Sequence, residues 1–321
     1  RGEYIYKFVS KAMWSNSDIG GGLKAGDKYL NDGTLYVAVF NEDGSGEWKA
    51  LVHGQNGLDA FNSVLPFNGQ DEVLVFARAA ADAAGATKMD RPEWVSVSPM
   101  TGDVYVTLTN NKYRGVRDDQ PVSASNPRSY QSSGKALGND NGHIIRWAEA
   151  GGDHAATSFE WDIYLFGAPS DLSAENLSQL NDNNDFSSPD GLYFDPRGVL
   201  WIQTDDGAYT DTSSCMLLAA LPGKVSDGSM TTTSAGQSTR VGTSASNDNI
   251  KRFFVGPEGC EVTGITMAPD FKTLFINIQH PGNTWGAVAG GSIPRSATVM
   301  ITREDGDVIL AESFVTADST T

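Results

Sequence analysis

Trp94-Val95-Ser96-Val97-Ser98-Pro99, followed by Gly102-Asp103-Val104-Tyr105-Val106, is the stretch that decides the fold. β-Branched and aromatic residues run on either side of a turn set by proline and glycine, which is the signature of two strands joined as a hairpin. The pattern returns as Gly191-Leu192-Tyr193-Phe194-Asp195-Pro196 with Gly198-Val199-Leu200-Trp201-Ile202. It returns again as Gly264-Ile265-Thr266-Met267-Ala268-Pro269 with Lys272-Thr273-Leu274-Phe275-Ile276, and Gly33-Thr34-Leu35-Tyr36-Val37 repeats the second strand alone. Hairpins repeated in this way are the building block of a β-propeller.

The expected fold is therefore all-β, a single β-propeller domain over residues 1–321 with four to five blades within the chain and few short helices. The hairpins begin near 94, 191 and 264, wider apart than the roughly 40–50 residues of one blade, so further strands lie between them. His143–Trp147, Thr157–Trp161 and Thr298–Thr302 are candidates. Asp71–Ala86 and Ser170–Leu180 read as helices, and the Ser-, Gly- and Asn-rich stretches Arg114–Asn141 and Gly223–Asn249 as long loops. The chain runs from Arg1 straight into the alternating Tyr4–Val9, which gives the expectation that N-terminal blades are missing.

Forty acidic residues against 23 basic leave a net charge of −17, which opposes the phosphate contacts of nucleic-acid binding and suits the collection of hard cations. Two cysteines, Cys215 and Cys260, allow one bridge at most. Apolar runs such as Met216–Leu221 fall far short of the roughly 20 residues that cross a bilayer. P-loop, serine-elbow and His-Glu-x-x-His patterns are all absent from the sequence.

Aligning the hairpins puts Glu93 opposite Asp190, each six residues ahead of its turn proline. Thr263 holds the third such place, with Glu261 two residues earlier, at the position of Arg91 and Ser188. First strands line a propeller's axis, so these carboxylates converge there and call for Ca²⁺, unless Glu93 and Asp190 merely cap turns. Arg91 offers a fork for phosphate or carboxylate, or a salt bridge to Glu93. His280 follows the last repeated strand as a proton donor, a metal ligand or a plain loop residue, and Asn110 follows the Tyr105 strand. Cys260 reads as core packing, and Asn181–Asp185 as a polar loop without EF-hand spacing.

Tyr4-Ile5-Tyr6-Lys7-Phe8, Arg91-Pro92-Glu93-Trp94-Val95, Gly142-His143-Ile144-Ile145-Arg146-Trp147, Ser188-Pro189-Asp190-Gly191-Leu192, Gly259-Cys260-Glu261-Val262-Thr263-Gly264 and Gln279-His280-Pro281-Gly282 occur in that order. Together they resemble the PhoX-type alkaline phosphatases. The resemblance implies a six-bladed propeller, exported by the twin-arginine route to the periplasm or the medium, that hydrolyses phosphomonoesters with calcium (Ca²⁺) and iron (Fe³⁺). It implies Glu93, Asp190 and Glu261 as metal ligands and Arg91 as the holder of substrate phosphate. Family members are longer, and the part that would precede Arg1 carries further blades and the cysteine ligand of iron. Three readings stand: the C-terminal part of such a phosphatase, a non-catalytic Ca²⁺-bound structural or interaction module, and a propeller hydrolase of lactones or other esters.

Overall fold

In the computed structural model of the chain, residues 2–131, 137–205, 214–283 and 285–310 are described. They form four successive antiparallel meanders. The first contains β1 (Tyr6–Ser10), β2 (Gly33–Phe40) and β3 (Ser45–Ala50), with α1 (Leu23–Leu30) between β1 and β2. Helices α2 (Gln70–Val75) and α3 (Ala77–Ala83) then lead to the second meander. That meander holds β4 (Pro92–Val97), β5 (Val104–Leu108), a small hairpin of β6 (Tyr130–Gln131) and β7 (Leu137–Gly138), then β8 (His143–Glu149) and β9 (Ser158–Phe166). The third comprises β10 (Pro189–Phe194), β11 (Leu200–Thr204), β12 (Met216–Ala220), a hairpin of β13 (Ser229–Thr232) and β14 (Ser238–Val241), and β15 (Ile250–Val255). The fourth is β16 (Glu261–Met267), β17 (Thr273–Gln279) and β18 (Ala297–Thr302).

The first two meanders are hydrogen-bonded through β3 and β9 into one sheet, whereas the second, third and fourth stack face to face, so that the side-chain alternation of a strand between them feeds two cores at once. Leu200 and Ile202 of β11 join Tyr105, Ile144 and Tyr164 of the second meander, whereas Trp201 between them joins Val262, Leu274 and Ile276 of the fourth. Met216-Leu217-Leu218-Ala219-Ala220 divides in the same way, which is why β12 reads as an unbroken apolar run. Each such side chain contributes about 1.5–3 kcal/mol on leaving water. A third core, with Phe40, Trp48, Trp147, Phe159 and Trp161, lies between the first two meanders, and a fourth packs Val37 and Leu51 under Val73 and Ala80 of the helices. This is a propeller-like all-β fold with three short α-helices among the described residues.

The three recognised hairpins form as expected, as β4–β5, β10–β11 and β16–β17. Each inner strand carries one residue more than its partner near its start: Pro92 and Val95 face Leu108 and Val106, Pro189 and Leu192 face Thr204 and Ile202, and Thr263 and Thr266 face Asn277 and Phe275. The same β-bulge therefore recurs three times, and bulges bend a strand and re-aim its side chains.

Ser170–Leu180 forms turns instead of a helix. The Asn176 side chain donates to the carbonyl of Leu180 at 2.8 Å and accepts from its N–H at 2.8 Å, which replaces helical bonding locally. The Asp71–Ala86 helix breaks at Phe76, where φ −103 and ψ 37 leave the helical region. Gly223–Asn249 carries the β13–β14 hairpin, joined in parallel to β9 through Val241 and Ile163. Buried Arg146, bidentate to Asp162 at 2.7 and 3.0 Å, fixes the base of this excursion through Asp227 at 2.7 Å. The described part of Arg114–Asn141 is built on buried polar residues, among them Arg114, Gln120, Asn126, Arg128, Asn139 and Asn141. Cys215 and Cys260 are both buried and are not joined in a disulfide. No described helix is long and apolar enough to cross a membrane.

Candidate functional site

The starts of β4, β10 and β16 carry the acidic residues that the hairpin register aligned. Immediately before β4 and in the equivalent place before β10, Arg91 (φ 57) and Ser188 (φ 49) adopt the left-handed conformation, which L-residues rarely occupy. The return strands are tied there in the same way: Thr109 N–H donates to Arg91 O, Asp205 N–H donates to Ser188 O, and Gln279 pairs with Glu261. Thr109, Asp205 and Gln279 are thus equivalent, and Asn110 and His280 are the residues that follow. Asp206, which would complete that row, lies outside the described residues.

Arg91 joins the two neighbouring meanders. Its Nε donates to Glu93 Oε1 at 2.8 Å and its terminal nitrogen to Asp205 Oδ2 at 3.2 Å. Burial opposes its charge, yet Glu93 and Asp205 outweigh this and raise its pKa. Glu93 accordingly accepts from a guanidinium and not from the turn backbone. Asp190 is 7% exposed, and burial first, then Glu93, Glu261 and Asp205, push its carboxyl up to about 7 against the opposing pull of Arg91. Burial and the charge of Asp205 likewise raise the pKa of Glu261, which accepts from Gln279 Nε2 at 2.7 Å.

His280 stands at the exposed rim, its Nε2 3.6 Å from Glu261 Oε2 and its Nδ1 3.2 Å from Gly259 O. One ligand atom from each of Asp205, Glu261 and His280 lies within 4.8 Å of the others. Arg91, Glu93, Asp190, Glu261 and His280 are therefore brought to one place. Asn110 leaves β5 on the same side, next to Asn111, which turns into a separate buried network around Asp90. Asp205 was not singled out from the sequence, although the strand-exit reasoning that marked Asn110 and His280 points to its neighbourhood.

Chemically, the carboxylates of Glu93, Asp205 and Glu261 and the guanidinium of Arg91 all act on the carboxylate of Asp190 in a partly buried setting. Such a donor set is hard and oxygen-rich, with one imidazole at its edge, and it fits Ca²⁺ or a similarly hard cation. Cys260 adjoins Glu261 in sequence but packs into the core between the third and fourth meanders, so it supplies no thiolate. Burial raises its pKa to about 11, which keeps it a thiol.

A family model described as alkaline phosphatase PhoX matches residues 1–282 of the chain. Among solved structures, that of Pseudomonas fluorescens PhoX in complex with vanadate, a transition state analogue, is similar at 40% identity and a TM-score of 0.78. The match covers 96% of this chain and 50% of the Pseudomonas chain, so the chain spans about half the length of that relative. No curated protein matches it.

Proposed function

The chain belongs to the PhoX alkaline phosphatase family, and from that premise we propose that it contributes Arg91 and a carboxylate cluster to a calcium- and iron-dependent phosphomonoester hydrolase, of which it is the C-terminal part. The observation that carries this reading is the convergence of acidic residues from neighbouring meanders, with Asp205, Glu261 and His280 offering ligand atoms within 4.8 Å of one another and Arg91 bonded to both Glu93 and Asp205; burial and these carboxylates push Asp190 up to about 7. Charges crowded in this way are costly until a cation neutralises them. Glu93, Asp190 and Glu261 would hold that cation, with Asp205 and His280 beside them.

Bound cations would polarise the phosphoryl oxygens and neutralise charge that develops on them. Arg91 would then turn its fork from Glu93 and Asp205 to two oxygens of the substrate phosphate. Gln279 would hold Glu261 in place through its amide. His280, at the rim, would hold a proton within reach of the departing alcohol oxygen. Calcium suits the donors in this chain, whereas iron rests on the family resemblance, because neither Cys215 nor Cys260 reaches the cluster. Export to the periplasm or the medium by the twin-arginine route belongs to the same reading.

Metal analysis of the purified chain, together with p-nitrophenyl phosphate turnover with and without a calcium chelator, tests it. Bound metal with chelator-sensitive turnover is expected. Calcium without turnover of any phosphate ester would overturn the enzymatic reading and leave a Ca²⁺-bound structural module.

A further inference from the structure

Behind the two left-handed residues of the site lies a buried polar network that no step above uses. Asp90 is fully buried, and its Oδ1 accepts from Asn111 Nδ2 and Arg114 Nε, each at 2.8 Å. Its Oδ2 accepts from Asn139 Nδ2 at 2.9 Å, and its backbone N–H donates to Asn126 Oδ1 at 3.0 Å. Arg114 spends its remaining donors on the carbonyls of Pro121 and Lys88, both at 2.7 Å. Asn139 is itself held by paired backbone hydrogen bonds with Asn111, at 2.7 and 2.9 Å.

Two residues further on, the same segment grips the neighbouring meander. Asn141 O accepts from Ser188 N–H at 2.9 Å, and Asn141 Nδ2 donates to Ser187 Oγ at 2.9 Å. Ser188 Oγ donates to Asp140 O at 3.3 Å, and the Tyr130 hydroxyl bonds to the Asn141 side chain. Residues 139–141 thus hold Asp90-Arg91 on one side and Ser187-Ser188 on the other. Arg91 and Ser188 are non-glycine residues with positive φ, a conformation that persists only where the surroundings over-determine it.

We propose that Asn139–Asn141 is a positioning clip that sets the separation of Arg91 from Asp190, and so sets where the guanidinium meets the phosphate. This inference rests on the reading of Arg91 as the phosphate-holding residue. β4 and β10 share no backbone ladder and are tied by side chains, with Thr107 Oγ1 donating to Asp190 O at 2.6 Å and Ser96 Oγ accepting from Phe194 N–H at 2.9 Å, so the clip adds the tie on the Arg91 and Ser188 side. Both carboxylate oxygens of Asp90 are paired, which stiffens its surroundings where side-chain packing alone is tolerant, although Asn139 Oδ1 finds no partner among the described residues.

The test is Asn139→Ala, alone and combined with Arg91→Ala, titrated with inorganic phosphate by calorimetry in calcium buffer, with p-nitrophenyl phosphate kinetics and melting temperatures alongside. Asn139→Ala is expected to weaken phosphate binding about tenfold and raise KM by a similar factor, with kcat falling much less. That loss should vanish in the Arg91→Ala background, where nothing remains to be positioned. The clip is overturned if Arg91→Ala abolishes phosphate binding while Asn139→Ala leaves it intact, or if the Asn139→Ala loss persists undiminished without Arg91. Phosphate binding unaffected by Arg91→Ala overturns the reading of Arg91 itself, and the clip falls with it. If Asn139→Ala does not fold, Asn111→Ala withdraws a single donor from Asp90 and supports the same comparison at smaller amplitude.

Discussion

Asp190 is the residue on which the site's electrostatics turn. Its carboxyl titrates near 7 in the folded protein, against about 3.9 for an unperturbed aspartate. Because the folded value is raised, the stability linked to this group is fully present below the unfolded pKa and is lost as pH rises through about 7. A cation takes the place of that proton. Adding CaCl₂ should therefore raise the melting temperature more at pH 8 than at pH 5.5, as followed by calorimetry. An equal rise at both would show that Asp190 does not face the ion. Glu93 and Asp190 were legible in the sequence because each stands six residues before a repeated turn proline, whereas Thr263 holds that place in the third hairpin and Glu261 was marked through the family resemblance. Asp205 was harder to see, since two adjacent acids after β11 say nothing of what the next meander brings near them. Asp90 gave no signal at all, because its partners Asn111, Arg114 and Asn139 come from a segment that reads as a loop.

Among the elements, the hairpins were readable wherever one turn and one aromatic pattern coincided, and β12 was not, because burial on both faces removes the alternation. The Ser170–Leu180 helix failed for a different reason: Asn176 offers its own amide to the backbone of Leu180. The repeated bulge is visible only once strands are paired. At the third bulge Gly264 has φ 61, and a Cβ there would stand 2.2 Å from Asn277 Nδ2. Gly264→Ala should cost about 1–3 kcal/mol by strain, read by urea unfolding. It should also weaken calcium binding, since Glu261 lies three residues upstream on the same strand. Unchanged unfolding would mean that the bulge tolerates a side chain and does not constrain the strand.

For the molecule as a whole, meanders are joined by packing, by the β3–β9 and β14–β9 strand pairings and by a few buried charges. Lys7 of β1 donates to both oxygens of Glu149 in the second meander at 3.1 Å, and the indole nitrogens of Trp48 and Trp147 donate to the same carboxylate. Burial lowers the pKa of Lys7 while Glu149 opposes that shift. Removing one partner of such a pair strands the other, at about 3–5 kcal/mol. Glu149→Ala should therefore lower the melting temperature markedly and expose the first meander to proteolysis before the rest. Uniform cleavage across the chain would show that the two meanders do not depend on this contact. That the sheets stack as they do was foreseeable from the repeats, but these cross-meander partners were not. Lys7 and Glu149 are 142 residues apart, and the pairing of β3 with β9 is what brings their meanders together.

The three bulges have one consequence for how such a chain can change. Side chains alternate with period two, so an extra residue inverts the phase of everything on one side of it. The inner strands thus serve two geometries in sequence: a site-facing phase at their start and a core-facing phase beyond. Losing one residue at a bulge would not shorten the strand by a step so much as merge the two phases, turning either the carboxylates or the core residues the wrong way. Length changes near Glu93, Asp190 and Glu261 are therefore all-or-none, while changes in the turns at the far ends of the same hairpins leave this phase untouched.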